Sequence, residues 1–249
     1  MLLKDRIAIV TGSSRGIGRA VALAFSEQGA SLVINGTNPD RLAEVASRIE
    51  ERGGRCIIVP GDVSDPKTAE RLAAAALDTF QRLDILVNNA GITSRVPTLK
   101  MNLEKDWNRV LQVNLNGALY SCLAVLPQMQ KQGYGKIINI ASLAAKRPHR
   151  NASPSYGASK AALLYLTRHL AREMAPYGIN INALCPGAID TEMTDNWGDT
   201  YRRTVIEGIP MGRLGTSEEM AQAVLFMASN MSDFMTGEAM SVNGGAYMD

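Results

Sequence analysis

Tyr156 and Lys160 stand four residues apart in "SPSYGASKAAL" (residues 153–163), at the start of an apolar, Ala-rich stretch that reads as a helix. A spacing of four puts both side chains on one helical face, one turn apart, so an ammonium can sit beside a phenol. That arrangement suits acid–base chemistry. A free tyrosine ionises near pH 10, so a phenolate acting as a base near neutrality needs roughly 3 to 4 kcal/mol of differential stabilisation, and a neighbouring cation supplies a term of that kind. Ser142 follows "KIINIA", where its hydroxyl could orient a substrate oxygen or simply cap a turn. Asn114 lies inside "WNRVLQVNLNGAL", a helical stretch in which asparagine is a poor helix former; a core amide satisfied by backbone is the plainer reading. Cys56, Cys122 and Cys185 are far apart, and His149 and His169 are the two histidines. No metal site and no Ser-His-Asp arrangement is predicted from these.

The elements that must position these residues read as an alternation of short β-branched runs with longer helical patterns. "RIAIVT", "SLVIN", "CIIVP", "DILVN", "KIINIA" and "INALC" lack polar alternation, so they read as strands buried on both faces of a parallel sheet. Asn38 before Pro39 and Asp65 before Pro66 mark helix starts, a capping side chain followed by proline. Right-handed strand–helix–strand crossovers then give a single α/β domain over residues 1–249, an open, doubly wound Rossmann-type parallel sheet with helices on both faces. Ligands of such sheets bind beyond the carboxyl ends of the strands. The long connection at about 187–215 has one short helical stretch and the character of a substrate lid, with Trp197 and Tyr201 lining its inner face or packing on neighbours.

Directly after the first strand comes "TGSSRGIGRAVALAF", whose Gly12, Ser14, Arg15, Gly16, Ile17 and Gly18 form a turn that opens a helix. Glycines let the backbone approach a pyrophosphate, and the helix N-terminus offers unpaired N–H groups to it. A dinucleotide fits such a turn. The acidic residue that usually takes the ribose 2′-hydroxyl of NAD is missing from "VINGTNPD". Without that repulsion, Arg15 and the Thr37 hydroxyl could bind a 2′-phosphate, which favours NADP(H). NAD(H) stays open, because Asp40 could swing back to a ribose.

These motifs, taken together, resemble the short-chain dehydrogenase/reductase family over essentially the whole chain. Thr11, Gly12, Gly16 and Gly18 match its T-G-x-x-x-G-x-G loop, and Asn88, Asn89, Ala90 and Gly91 match its N-N-A-G motif. Asn114, Ser142, Tyr156 and Lys160 fall in order on its catalytic tetrad, and "PGAIDT" (186–191) matches its nicotinamide loop. The resemblance implies that Tyr156 passes a proton to a developing alkoxide during hydride transfer. It implies that Lys160 also holds the nicotinamide ribose, and that Asn114 marks a helix distortion holding a relay water. Cofactor contacts by resemblance extend to Asp62 and Val63, with Asp62 alternatively a loop cap, and to Asn88, Ala90, Gly91, Pro186, Gly187, Ile189 and Thr191.

In its wording, including "TGEAMSVNGGAYMD", the chain is most similar to the 3-oxoacyl-acyl-carrier-protein reductases of that family. Gly133 and Tyr177 stand where those reductases typically present arginines to the carrier, leaving Arg172 more than a turn away. "LAAKRPHRNASPS" sets Lys146, Arg147, His149 and Arg150 beside the reaction site, either as a solvated loop or to recognise an oxo acid or sugar acid. A non-catalytic NADP-binding regulator would not need the tetrad. With 26 basic and 24 acidic side chains and 46% hydrophobic residues, the chain has no footprint for nucleic acid or an anionic membrane. Its charged start, "MLLKDRIAIV", and the absence of any run of membrane-spanning length predict a soluble, cytoplasmic protein. The resemblance implies a homotetramer.

Overall fold

The computed structural model describes residues 1–148 and 152–248. Seven strands, β1 (Ile7–Val10), β2 (Ser31–Ile34), β3 (Cys56–Ile58), β4 (Ile85–Asn88), β5 (Gly135–Ile140), β6 (Ile179–Pro186) and β7 (Ala239–Val242), form one sheet. All pairings are parallel, in the order β3-β2-β1-β4-β5-β6-β7. The six expected runs fall on β1 to β6. The seventh strand was not legible as a run, because "AMSV" is four residues long and only Ala239 among them is fully buried.

Along β1 the side chains alternate between two cores. Ala8 and Val10 pack with Phe25 of α1 (Gly16–Glu27), Leu42 of α2 (Pro39–Glu50) and Val224 of α8 (Ser217–Ala228). Ile7 and Ile9 face Leu72 of α3 (Pro66–Phe80), Val125 of α5 (Gly117–Gln132) and Leu170 of α6 (Pro154–Met174). Truncating a fully buried leucine such as Leu72 to alanine in such a layer costs about 2–5 kcal/mol. The predicted helix starts are built as expected: Asn38 and Asp65 accept the N–H groups of Arg41 and Lys67, each at 3.0 Å.

One helical rod, Leu103–Gln132, alternates π and α geometry: Leu103–Asn108 is π-helical, α4 (Arg109–Leu111) follows, then a second π segment at Gln112–Asn116, and α5 completes it. At 30 residues it is long and apolar enough to cross a membrane by length and composition. This corrects the expectation that no stretch reaches that length. Its Val110, Val113, Cys122, Val125 and Met129 are buried, and α5 packs on α3, β4 and β5, as in a core helix of a globular fold.

Candidate active site

The strand order reverses between β1 and β4, so the loops leaving β1, β4, β5 and β6 converge at one end of the sheet. Thr11 fastens the first two of these loops together. Its N–H donates to the Val87 carbonyl at 3.0 Å, and its Oγ1 accepts the N–H groups of Asn89 and Ala90 at 3.0 and 3.1 Å. Asn89 Nδ2 returns bonds to the carbonyls of Thr11 (3.0 Å) and Gly12 (2.9 Å). The fit leaves no room for side chains: a Cβ on Gly18 would stand 2.3 Å from the Gly12 oxygen, and one on Gly12, at φ +63°, 2.8 Å from Ala90 Cα.

Behind this turn α1 begins after Arg15 with no side-chain cap and no acidic residue in its first turn, which leaves its first N–H groups for an anion. Ser14 and Ile17 are partly buried, and Arg15 is exposed with no carboxylate partner among the described residues. At the end of β2, Asn35 is committed to the carbonyls of Val59 (3.0 Å) and Gly61 (3.1 Å), while Thr37 is exposed. Asp40 is exposed in the first turn of α2, so the strand end itself presents no carboxylate.

Asp62 serves as a loop cap, accepting the Ser64 N–H at 2.9 Å and its hydroxyl at 2.8 Å, and it forms an ion pair with Arg109. Burial pushes its carboxyl up, but the bonds from Ser64 and Arg109 outweigh that and leave it below the usual aspartate range. Val63 is buried against Gly117, where a Cβ would meet it at 2.7 Å. Asn88 turns into the interior, where its Nδ2 donates to Asn139 Oδ1 at 2.9 Å and Asn139 Nδ2 in turn donates to Thr167.

Ser142, Tyr156 and Lys160 meet just beyond β5. Ser142 caps the turn: its Oγ accepts the Ala144 N–H at 3.1 Å, and its side chain also hydrogen-bonds Tyr156. Ser153 caps α6 and accepts the Tyr156 N–H, which fixes the phenol's backbone at the helix start. Lys160 Nζ lies 5.9 Å from the centre of the Tyr156 ring, buried, and donates to the Ile140 carbonyl at 2.7 Å. Burial lowers the Lys160 ammonium to about 8. Burial also raises the Tyr156 phenol, with Ser142 acting in the opposite sense. In the protein alone, desolvation of the phenol thus outweighs the bond from Ser142.

Asn114 sits in the second π segment, where the widened turn frees its amide. Oδ1 accepts the Ile92 N–H at 2.8 Å, and Nδ2 donates to the Ile92 carbonyl at 2.9 Å and to Ser159 at 3.1 Å. A Cβ on Gly91 would stand 3.4 Å from both Asn114 Oδ1 and Lys160 Nζ, so the loop after β4 passes directly over the pair.

The loop after β6 closes the other side. Gly187 donates to the Val242 carbonyl at 3.0 Å and has the Asn243 backbone where its Cβ would be. Ile189 is buried, and Thr191 stands 3.5 Å from the Cβ position of Gly16. Asp190 N–H to the Gly215 carbonyl (2.8 Å) and Gly215 N–H to that of Ala188 (3.0 Å) bring both ends of the expected lid together. Its helix is α7 (Asp199–Glu207), and Trp197 and Tyr201 pack edge to face at 5.1 Å.

A family model described as Enoyl-(Acyl carrier protein) reductase matches residues 12–247. The 3-oxoacyl-[acyl-carrier-protein] reductase of Synechocystis sp. is 38% identical over 248 residues, covering 99% of this chain and 98% of the relative. The enzyme of that name from Escherichia coli K12 is 36% identical over 100% of both. The chain belongs to the short-chain dehydrogenase/reductase family. A short-chain type dehydrogenase/reductase from Mycobacterium marinum superposes with a TM-score of 0.95 at 34% identity, over 99% of this chain and 97% of that one. A putative gluconate dehydrogenase from Agrobacterium tumefaciens gives 0.93 at 35%, over 98% and 96%.

As a short-chain dehydrogenase/reductase the chain is an oxidoreductase acting on a CH–OH or keto group, and the family implies a nicotinamide cofactor. The residues present fit such a group. Lys160 is a buried ammonium with three donors, one of them satisfied by Ile140, and the uncapped start of α1 faces the same loops. Thr11 and Asn89 are the residues whose part in shaping the site was missed. Their signal was their place in the two motifs, but bonds between loops 78 residues apart do not show in spacing.

In the basic loop after Ser142, Lys146 is half-buried rather than solvated. Lys146 donates to Ser241 at 3.0 Å and lies over the Tyr247 ring, so it braces β7. Arg147 is exposed, while His149 and Arg150 lie outside the described residues. Among the described residues no group of three His, Cys, Asp or Glu could hold a metal ion.

Proposed function

We propose that this chain is an NADP(H)-dependent 3-oxoacyl reductase, which converts a ketone to a secondary alcohol with Asn114, Ser142, Tyr156 and Lys160 as its working residues. The observation that carries the reading is the Ser142–Tyr156 hydrogen bond at the end of β5, with the Lys160 ammonium buried over the same ring. When bound, the cofactor supplies the hydride and, once oxidised, a positive charge. Tyr156, protonated because burial raises its phenol, donates its Oη proton to the developing alkoxide. Ser142 orients the substrate oxygen, and Lys160 holds ribose hydroxyls with the donors Ile140 leaves free.

The absence of a carboxylate at the end of β2, with Arg15 and Thr37 exposed beside it, supports a 2′-phosphate and hence NADP(H). The single α/β domain, the lid at about 187–215, a cytoplasmic location and a homotetrameric assembly belong to the same reading. Purified protein with acetoacetyl thioester should oxidise NADPH with a kcat/KM at least tenfold above that with NADH. Tyr156→Phe should lose about 10²–10⁴-fold in kcat while still binding NADPH, as expected when an acid is removed but the cradle is kept. Retention of turnover in that variant would overturn the reading.

A further inference from the structure

The loop after β4 is held on three sides. Ile92 is bound by Asn114, Ser94 Oγ donates to Asp106 at 2.9 Å, and the Ser94 carbonyl accepts the N–H of Ser153, the cap of the helix carrying Tyr156. Ser94 is buried, but the next residue, Arg95, is exposed and reaches across to the lid. There its Nη2 donates to the Met193 carbonyl at 2.6 Å. Arg6, Arg82, Arg109, Arg202 and Arg213 each meet a carboxylate, whereas Arg95 meets none among the described residues.

A guanidinium carries five donors in a rigid fork, and a neutral carbonyl is a weaker partner for it than an ionised oxygen. Arg95 is thus a cation on a fixed loop, beside the start of the Tyr156 helix, holding the lid through a bond that an anion would displace. We propose that Arg95 is a specificity-determining residue, which exchanges Met193 for an ionised group on the tail of the substrate. That group is a carboxylate of a small oxo acid or a phosphate of a pantetheine-linked thioester. The proposal rests on the carbonyl-reductase reading and deepens it.

The test compares two charged substrates, acetoacetate and acetoacetyl-coenzyme A, with neutral acetoacetyl-N-acetylcysteamine, in wild type, Arg95→Gln and Arg95→Lys. In Arg95→Gln the ratio of kcat/KM for the preferred charged substrate to that for the neutral one should fall on the order of tenfold, mainly through KM. Arg95→Lys should recover part of that loss, and the charged substrate affected identifies carboxylate or phosphate. A ratio unchanged within twofold, including a parallel loss on all three, overturns the proposal and leaves Arg95 only a lid latch. Wild-type turnover of the neutral thioester checks the carbonyl-reductase reading separately. Binding is read without turnover in the Tyr156→Phe protein, where adding Arg95→Gln should reduce the melting shift produced by the preferred charged substrate; an undiminished shift also overturns the proposal.

Discussion

Lys160 is held in the fold at a cost. Its ammonium titrates at about 8 in the folded chain against 10.5 in the unfolded one, because burial disfavours the charge. Between those values the unfolded state binds the proton and the folded state has released it, so stability rises with pH through that window. Below pH 8 the whole penalty is present, on the order of 3 kcal/mol. Lys160→Met, measured by urea denaturation without cofactor, should therefore be more stable than wild type at pH 7, and the difference should shrink towards zero by about pH 10.5. Loss of the bond to Ile140 offsets part of the gain, since that carbonyl is left without this donor. A methionine variant less stable than wild type at pH 7 would show that the charge is compensated by groups other than Ile140. The same desolvation raises Tyr156, against the lowering bond from Ser142, so the protein alone keeps that phenol protonated.

At the scale of elements, the strand ends hold the site through close approaches that tolerate no extra atom. Gly18→Ala places a methyl 2.3 Å from the Gly12 carbonyl and 2.4 Å from Asn89 Nδ2, both parts of the bridge between the loops after β1 and β4. The variant should melt several degrees lower and raise the KM for NADPH at least tenfold, whereas Thr11→Val should lose about 1–3 kcal/mol by stranding the Ala90 N–H group, the Asn89 N–H keeping the Val87 carbonyl at 3.1 Å. Equal NADPH affinity in wild type and Gly18→Ala would sink the claim that this contact shapes the cradle. Six strands, the Asn-Pro and Asp-Pro helix starts and the Tyr156–Lys160 pairing were legible because each rests on local periodicity or capping chemistry. β7 was not, since it exists by pairing with β6, and neither was Lys146, whose partner Ser241 lies 95 residues away. Asn114 lay between these cases: its misfit in a helix was visible, but the π turns on both sides of α4 depend on packing against α6.

At the scale of the whole molecule, exposed apolar side chains are spread over the described surface, and among them stand two pairs at separate places. Leu123 on α5 is 58% exposed and Tyr165 on α6 is 70% exposed, while Met231 and Phe234, between α8 and β7, are 66% and 108% exposed. Single exposed apolar residues need no explanation, but large ones on neighbouring helices, repeated at the open edge of a sheet, mark surfaces that association would cover. β7 is that edge, and its outer N–H and C=O groups lack a strand partner among the described residues. Two surfaces that each meet a second copy about a two-fold axis of their own would generate a dimer of dimers, the symmetry of a homotetramer. Sedimentation at micromolar concentration should then give four chains per particle. Leu123→Glu with Tyr165→Glu should halve the mass by breaking the helical interface, and Phe234→Asp with Met231→Asp should halve it through the other. Combining all four should give monomers, because each pair acts on a separate surface. A wild-type monomer, or full dissociation by either pair alone, would show that the two patches do not act as independent interfaces.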